Sequence, residues 1–303
     1  MSSPEFRTDM NFTYGEPNEL APGIVRLVAN NPSVFTFKGT NTYILGTDDL
    51  AIMDPGPEDA DHFAAIMKAV GGRKVSHILI THTHRDHIDG LPRLAEATGA
   101  EVCGYGRRSR NEGGTIKSAS GTESVDESFV PDRALRDGDV VSGSDWSVKA
   151  LFTPGHAPDH LCFTMDERNI VFSGDHVMGW NTSVVAPPEG NMQAYLASLD
   201  RLAMRKSDQV YFPGHGGRVS EPARVAKAYL IHRRSREHAI FEAIRDGSST
   251  VAAIVQRIYK DIDPRLVRAA SMSVLAHVEH LLARGQITSD SEELSLNAAY
   301  AAA

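Results

Sequence analysis

The sequence predicts an α+β protein, a mixed body of strands and helices followed by a small helical, winged-helix-like domain. Three observations lead there. Short β-rich runs alternate with amphipathic segments to about residue 217. Beyond that point the pattern is helical only. The last helix stops at Gly285 and is followed by a strand-like Gln286-Ile287-Thr288 run. A chain of 303 residues accommodates one large and one small domain. The expected boundaries are 18–217, 218–290 and an Ala-rich tail, 291–303, expected to be disordered.

In chain order, Ser33 to Phe37, Thr42 to Leu45 and Leu50 to Met53 are short β-rich runs separated by turn residues. Glu58 to Val70 places Phe63, Ile66, Met67 and Val70 at helical spacing. Lys74 to Ile80 is an apolar run of strand length, Leu91 to Thr98 a helix stopped by Gly99, and Glu101 to Cys103 a strand. Ser109 to Asp132 is polar and reads as an irregular excursion. Strands are expected again at Val140–Val141, Ser147 to Phe152, Leu161 to Thr164, Asn169 to Phe172 and Gln209 to Phe212, with a helix over Met192 to Met204. Glu221 to Arg245 is one long helix. Ser249 or Thr250 can cap the next, and Asp263 can cap a helix with Pro264 at its first position.

Composition narrows the function. The net charge is −8, so there is no global basic field for nucleic acid. Residues 216–287 nevertheless hold twelve Lys/Arg against seven Asp/Glu, which suggests either a nucleic-acid surface or a solvated helix face. Two cysteines, Cys103 and Cys162, exclude a Cys-rich zinc module or a disulfide framework and read as buried strand positions. No apolar run reaches membrane-spanning length, and the first residues resemble neither a secretory nor a transit signal, so the expected location is the cytoplasm.

The chemistry is concentrated in Thr81-His82-Thr83-His84-Arg85-Asp86-His87, directly after the apolar Lys74–Ile80 run. Residues two apart in extended backbone point the same way, so His82 and His84 can share one metal. Asp86 and His87 begin the following turn and point towards a second. His156, Asp175 and His215 follow three other strand-like runs, the histidines each directly after Pro-Gly and the aspartate after Ser-Gly. Imidazole and carboxylate donors of this kind suit zinc.

This set resembles the metallo-β-lactamase superfamily over residues 18 to 217. The resemblance implies a four-layer αββα sandwich. It implies His82, His84 and His156 on a first metal, Asp86, His87 and His215 on a second, and Asp175 bridging two zinc ions, other first-row divalent metals also being compatible. Asp54 in Met53-Asp54-Pro55-Gly56 matches the family's Asp that holds a ligand in place. Asn41, Trp180 and Asn181 fall in loops that the family sets near the active-site mouth. The runs around Gly39-Thr40-Asn41-Thr42-Tyr43 and Pro154-Gly155-His156-Ala157-Pro158-Asp159-His160, with the long helix carrying Arg233, Arg234 and Arg236, are similar to the beta-lactamase-like protein 2 group as far as residue 287.

The reaction so implied is hydrolysis by a hydroxide bridging two metals, with Asp86 orienting it and His160 or a water protonating the leaving group. The narrower resemblance implies a single-strand nuclease or phosphodiesterase. A thioesterase or hydroxyacylglutathione-hydrolase-like enzyme is the alternative, and a nucleic-acid-binding protein with a vestigial metal site is the alternative of another class. The expected partner is accordingly a small ester or thioester, or single-stranded nucleic acid, with no membrane. The oligomeric state is left open, a homodimer among the options. His176 reads as structural, and His62, His77, His232, His238, His277 and His280 as surface or core residues.

Overall fold

The computed structural model describes residues 5–106 and 128–303. Most of the expected excursion Ser109 to Asp132 lies outside the described residues. The chain begins with β1 (Asn18–Ala21), β2 (Ile24–Val28), β3 (Asn41–Leu45), β4 (Asp49–Met53), α1 (Ala60–Val70), β5 (Lys74–Leu79), α2 (Arg85–Ile88), α3 (Leu91–Thr98), β6 (Glu101–Gly104) and β7 (Arg133–Ala134). These strands form one seven-stranded sheet in sequence order, antiparallel through β4 and parallel from β4 to β7. Next come β8 (Val140–Ser142), β9 (Ser147–Phe152), β10 (Leu161–Met165), β11 (Ile170–Gly174), α4 (Met192–Ala203), β12 (Val210–Pro213) and β13 (Val219–Ser220). They build a six-stranded sheet of order β13-β12-β11-β10-β9-β8, mixed because β11 and β12 run parallel.

Side-chain alternation along the strands decides the layers. On β3, Tyr43 and Leu45 enter the core between the sheets, while Ile44 faces outwards against α1 and α3. On β11, Ile170 and Phe172 join the same inner core, while Val171 packs with α4 and the long helix α5 (Pro222–Arg245). Both faces of both sheets are thus covered, giving the expected αββα sandwich.

The C-terminal unit comprises α5, α6 (Val251–Ile258), α7 (Val267–Ala283), β14 (Ile287–Ser289) and β15 (Tyr300–Ala302). Its core is its own, formed around Ile240, Ile254, Val278, Leu281 and Ile287. Thr250 caps α6 by accepting from Ala253 N, and Asp263 accepts from Arg265 N at a short 3-10 turn leading into α7.

Two expectations fail. Ser33 to Phe37 is a turn and not a strand: the Ser33 hydroxyl accepts from Phe35 N and Thr36 N, and Phe37 has φ 56°. The tail from 291, expected to be disordered, ends in β15, which pairs antiparallel with β14. Its anchor is Tyr300, 2% exposed in the C-terminal core, whose backbone N donates to Ser249 O. One aromatic side chain outweighs the featureless Ala-rich composition around it.

Candidate metal centre

Strands β5, β9, β11 and β12 deliver the candidate ligands at their carboxyl ends, and the two sheets meet there. Asn41 N donates to Gly214 O, and the Asn41 side-chain amide donates to Pro213 O and Gly216 O. Tyr43 Oη also donates to Pro213 O. These bonds tie the end of β12 in one sheet to β3 in the other.

The seven expected residues converge. His82, His84 and His156 form one group, Asp86, His87 and His215 another, and Asp175 joins His82 and His87 in a third. His84 Nδ1 lies 2.9 Å from His82 Nε2 and 3.0 Å from His156 Nε2. His215 Nε2 lies 3.3 Å from His87 Nε2 and 3.2 Å from an oxygen of each of Asp86 and Asp175. Asp175 turns Oδ1 to His87 at 3.5 Å and Oδ2 to His156 at 3.8 Å, so it stands between the two groups.

The hydrogen-bond network fixes which nitrogen of each ring is free. His156 Nδ1 donates to Val184 O at 2.7 Å, His215 Nδ1 to Gly39 O at 3.2 Å and His87 Nδ1 to Asp54 Oδ2 at 2.9 Å. The Thr81 hydroxyl donates to Asp54 Oδ2, so its oxygen accepts from His82 Nδ1 at 2.9 Å. All four rings therefore aim the Nε2 lone pair inwards. His84 is reversed: its Nε2 is 3.5 Å from Glu189 Oε2, which leaves Nδ1 inward. Three imidazole lone pairs meeting at 2.9–3.0 Å repel one another unless a cation sits among them. Such spacing is close to the ~3.3 Å edge of a tetrahedron with bonds of ~2.0 Å. Asp175 Oδ1 is buried and, among the described residues, accepts no hydrogen bond. The donor set fits divalent metal.

The charges divide accordingly. Burial, with His87 and His84 adding to it, drives His82 well below the ordinary histidine range. Burial and then His84 lower His156 to about 4. At His215 burial is outweighed by Asp175 and Asp86, and the pKa rises to about 10. His87 is raised likewise by Asp86 and Asp175.

Supports surround the cluster. Asp54, in a left-handed conformation at φ 51°, accepts from Thr81 N and Thr81 Oγ1 as well as from His87. Gly214 must lack a side chain, because a Cβ there would stand 2.3 Å from Asp175 Oδ1. From α5, buried Arg233 donates to Ser183 O and Ser273 Oγ, and Tyr229 Oη donates to Met178 O and Asn181 O. Ser183 Oγ in turn donates to Asp175 O and His176 O. The long helix thus steadies the loop whose Val184 carbonyl orients His156.

Several expectations change. His160, expected to protonate a leaving group, is fully buried, and both ring nitrogens are used: Nε2 accepts from Asp175 N at 3.1 Å and Nδ1 bonds Thr153 Oγ1 at 2.9 Å. It positions Asp175. Asn41 is fully buried and architectural. Trp180 stacks on Phe37 at 5.0 Å and Asn181 accepts from Tyr229. His176, read as structural, is buried against the Tyr195 ring at 4.5 Å, so that reading is unchanged.

The pocket beside the ligands is lined instead by Phe35, Val184, Ala186, Glu189, Ala269 and Met272, with Arg265 and Arg268 from the start of the C-terminal helix and with His84 and His156 themselves. Apart from His84 and His156, none of these wall residues was expected, because no local motif announces them. The basic stretch is largely spent within its own unit. Arg224, Arg245, Arg257, Arg265 and Arg284 pair with Glu221, Glu242, Asp246, Asp263 and Glu237, and Arg236 lies over the Tyr259 ring. Among the described residues no helix is long and apolar enough to cross a membrane.

Known proteins agree with this architecture. Residues 35–215 match the metallo-beta-lactamase superfamily and residues 250–294 the beta-lactamase associated winged helix domain. An atrochrysone carboxyl ACP thioesterase of Aspergillus chevalieri is 32% identical over 79% of this chain and 74% of its own length. A beta-lactamase-like protein 2 homolog of Drosophila melanogaster is 29% identical over 88% of this chain and 90% of its own. A beta-lactamase domain protein from Burkholderia ambifaria superposes with a TM-score of 0.79 at 22% identity, covering 99% of this chain and 97% of that one. The superfamily match covers more than half of the residues, so this chain belongs to the metallo-beta-lactamase superfamily, as a hydrolase with a divalent-metal site and a C-terminal winged helix.

Proposed function

We propose that this hydrolase is a two-zinc thioesterase acting on small acyl thioesters. The observation that carries the reading is the largely apolar pocket opening onto His84 and His156, which suits an acyl chain better than a polyanionic strand. The thioesterase name borne by the Aspergillus chevalieri relative supports it.

His82, His84 and His156 hold the first zinc, Asp86, His87 and His215 the second, and Asp175 serves both. Zinc bound there supplies Lewis acidity and lowers the pKa of water from ~15.7 towards ~7. Imidazole-rich donors favour zinc over harder cations. Asp54 orients the His87 ring, and Glu189 faces the outer nitrogen of His84. Phe35 and Met272 keep bulk water from the acyl group. His160 is sealed away from the pocket, which favours a leaving group that departs without a general acid. A thiolate, whose conjugate acid has a pKa of ~8.5, does so far more readily than an alkoxide. Both cysteines are buried thiols, in keeping with a cytoplasmic location.

The nuclease reading is disfavoured by the pairing of the C-terminal arginines. The test is a turnover screen of acyl thioester, single-stranded RNA, lactone and β-lactam with zinc-loaded protein. Chelator-sensitive thioester hydrolysis is expected; turnover of RNA alone would overturn the reading.

A further inference from the structure

The pocket wall carries a feature that thioester chemistry at the metals does not require. Arg265 and Arg268 both line it, opposite His84 and His156. Arg265 is already engaged, its guanidinium bonding both carboxylate oxygens of Asp263 at 2.6–3.1 Å. Arg268 is exposed and, among the described residues, makes no ion pair or side-chain hydrogen bond, in a unit where most arginines do. Glu189, the acid on the same wall, faces His84 Nε2 at 3.5 Å and lies on the metal side of the pocket. Between these groups the lining is apolar, through Val184, Ala269 and Met272.

We propose that Arg268 is the anion-reading residue of this pocket, and that the substrate is an amphipathic thioester bearing an oxyanion, carboxylate or phosphate, at the end remote from the scissile bond. A guanidinium offers a planar fork of donors that matches either oxyanion with two parallel hydrogen bonds. An unpaired one beside an apolar slot selects ligands with a charged head and a greasy body. The charge sits on α7, so the winged-helix unit supplies specificity while the sandwich supplies the metals. This inference rests on the thioesterase reading for its substrate, but the pocket's preference for an anion stands on the arginine alone.

The test is calorimetric binding to zinc-loaded full-length protein, using thioethers that cannot be hydrolysed. Three probes separate the sources of the anion: S-hexyl-coenzyme A (phosphates on the thiol side), the S-(5-carboxypentyl) thioether of N-acetylcysteamine (carboxylate on the alkyl side) and neutral S-hexyl-N-acetylcysteamine. One anionic probe is expected to bind about tenfold tighter than the neutral one, the preference shrinking as salt is raised. In Arg268→Ala that ratio should collapse towards one, and in Arg268→Lys it should fall only in part. Equal affinity for all three probes, an unchanged ratio in Arg268→Ala, or binding of none of them would overturn the inference. Turnover of the matching thioesters is read separately. Selective binding without turnover would sink the thioesterase reading and leave the anion site standing; turnover without selectivity would do the reverse.

Discussion

The metal-bearing edge of the sandwich and the pocket wall that faces it are held very differently. At the edge, His82, His87, His156 and His215 each have one nitrogen tied to a protein acceptor and the other aimed inwards, and Asp54 alone accepts three hydrogen bonds. Across the pocket, Met272 is held only by apolar packing in the C-terminal core, and exposed Arg268 has, among the described residues, no ion pair or side-chain hydrogen bond. The over-determined side fixes the chemistry that the superfamily shares, and the sparse side is free to vary with substrate. Changes at the edge should therefore abolish metal binding and turnover together. Changes in the C-terminal unit should act on stability or on substrate preference.

The largest effect is expected at the residue that stands between the two ligand groups. Asp175→Ala should cost at least about 10³-fold in turnover and lower metal content, read by kinetics and elemental analysis together. Wild-type metal content with wild-type rate would break the contrast. In the other region, Tyr300→Ala removes the aromatic anchor of β15 from a packed core. It should lose about 3–5 kcal/mol of stability in denaturant titration, with metal content per folded chain retained. Loss of metal in proportion to stability would mean that the two regions are one cooperative structure.

Smaller effects sharpen the picture. Asp54→Asn weakens the grip on His87 without removing a ligand, and should cost about 10–100-fold in metal affinity by chelator competition. The most gradual effect is spread over pH. His62 in the sandwich and His277 in the C-terminal unit are both lowered to about 4, chiefly by burial. Their folded pKa lies below the unfolded value, so the unfolded chain binds the extra protons between about 6.5 and 4. Stability is then fully present above about pH 6.5 and declines as pH falls towards 4, by up to about 1.4 kcal/mol per pH unit per histidine. Urea midpoints measured across that range should fall, and His277→Gln should flatten the slope.

How much of this was legible in the sequence follows the same divide. The ligands could be read because metal chemistry admits few residue types and the backbone period places them: His82 and His84 are two apart in extended backbone, and His156 and His215 each follow a Pro-Gly. The layers came from the family resemblance and not from periodicity: β3 and β11 are buried on both faces, so their sequences carry no alternation that would separate the layers. The pocket could not be read. Phe35, Glu189 and Arg268 belong to segments far apart in the chain and carry no shared pattern, so only the packing of α7 against the sandwich brings them together. His160 was misjudged because a motif states proximity and not direction: its ring faces the Asp175 backbone. The tail was misjudged because composition hides the weight of a single Tyr300.

The central claim is that two ligand groups hold two cations, each with three side chains of its own beside the shared Asp175. Elemental analysis of protein purified without chelator, beside His156→Ala and His215→Ala, tests it most directly. The account predicts about two metal ions per wild-type chain and about one in each variant. Two ions retained in both variants, or a wild-type chain that binds none, would contradict it.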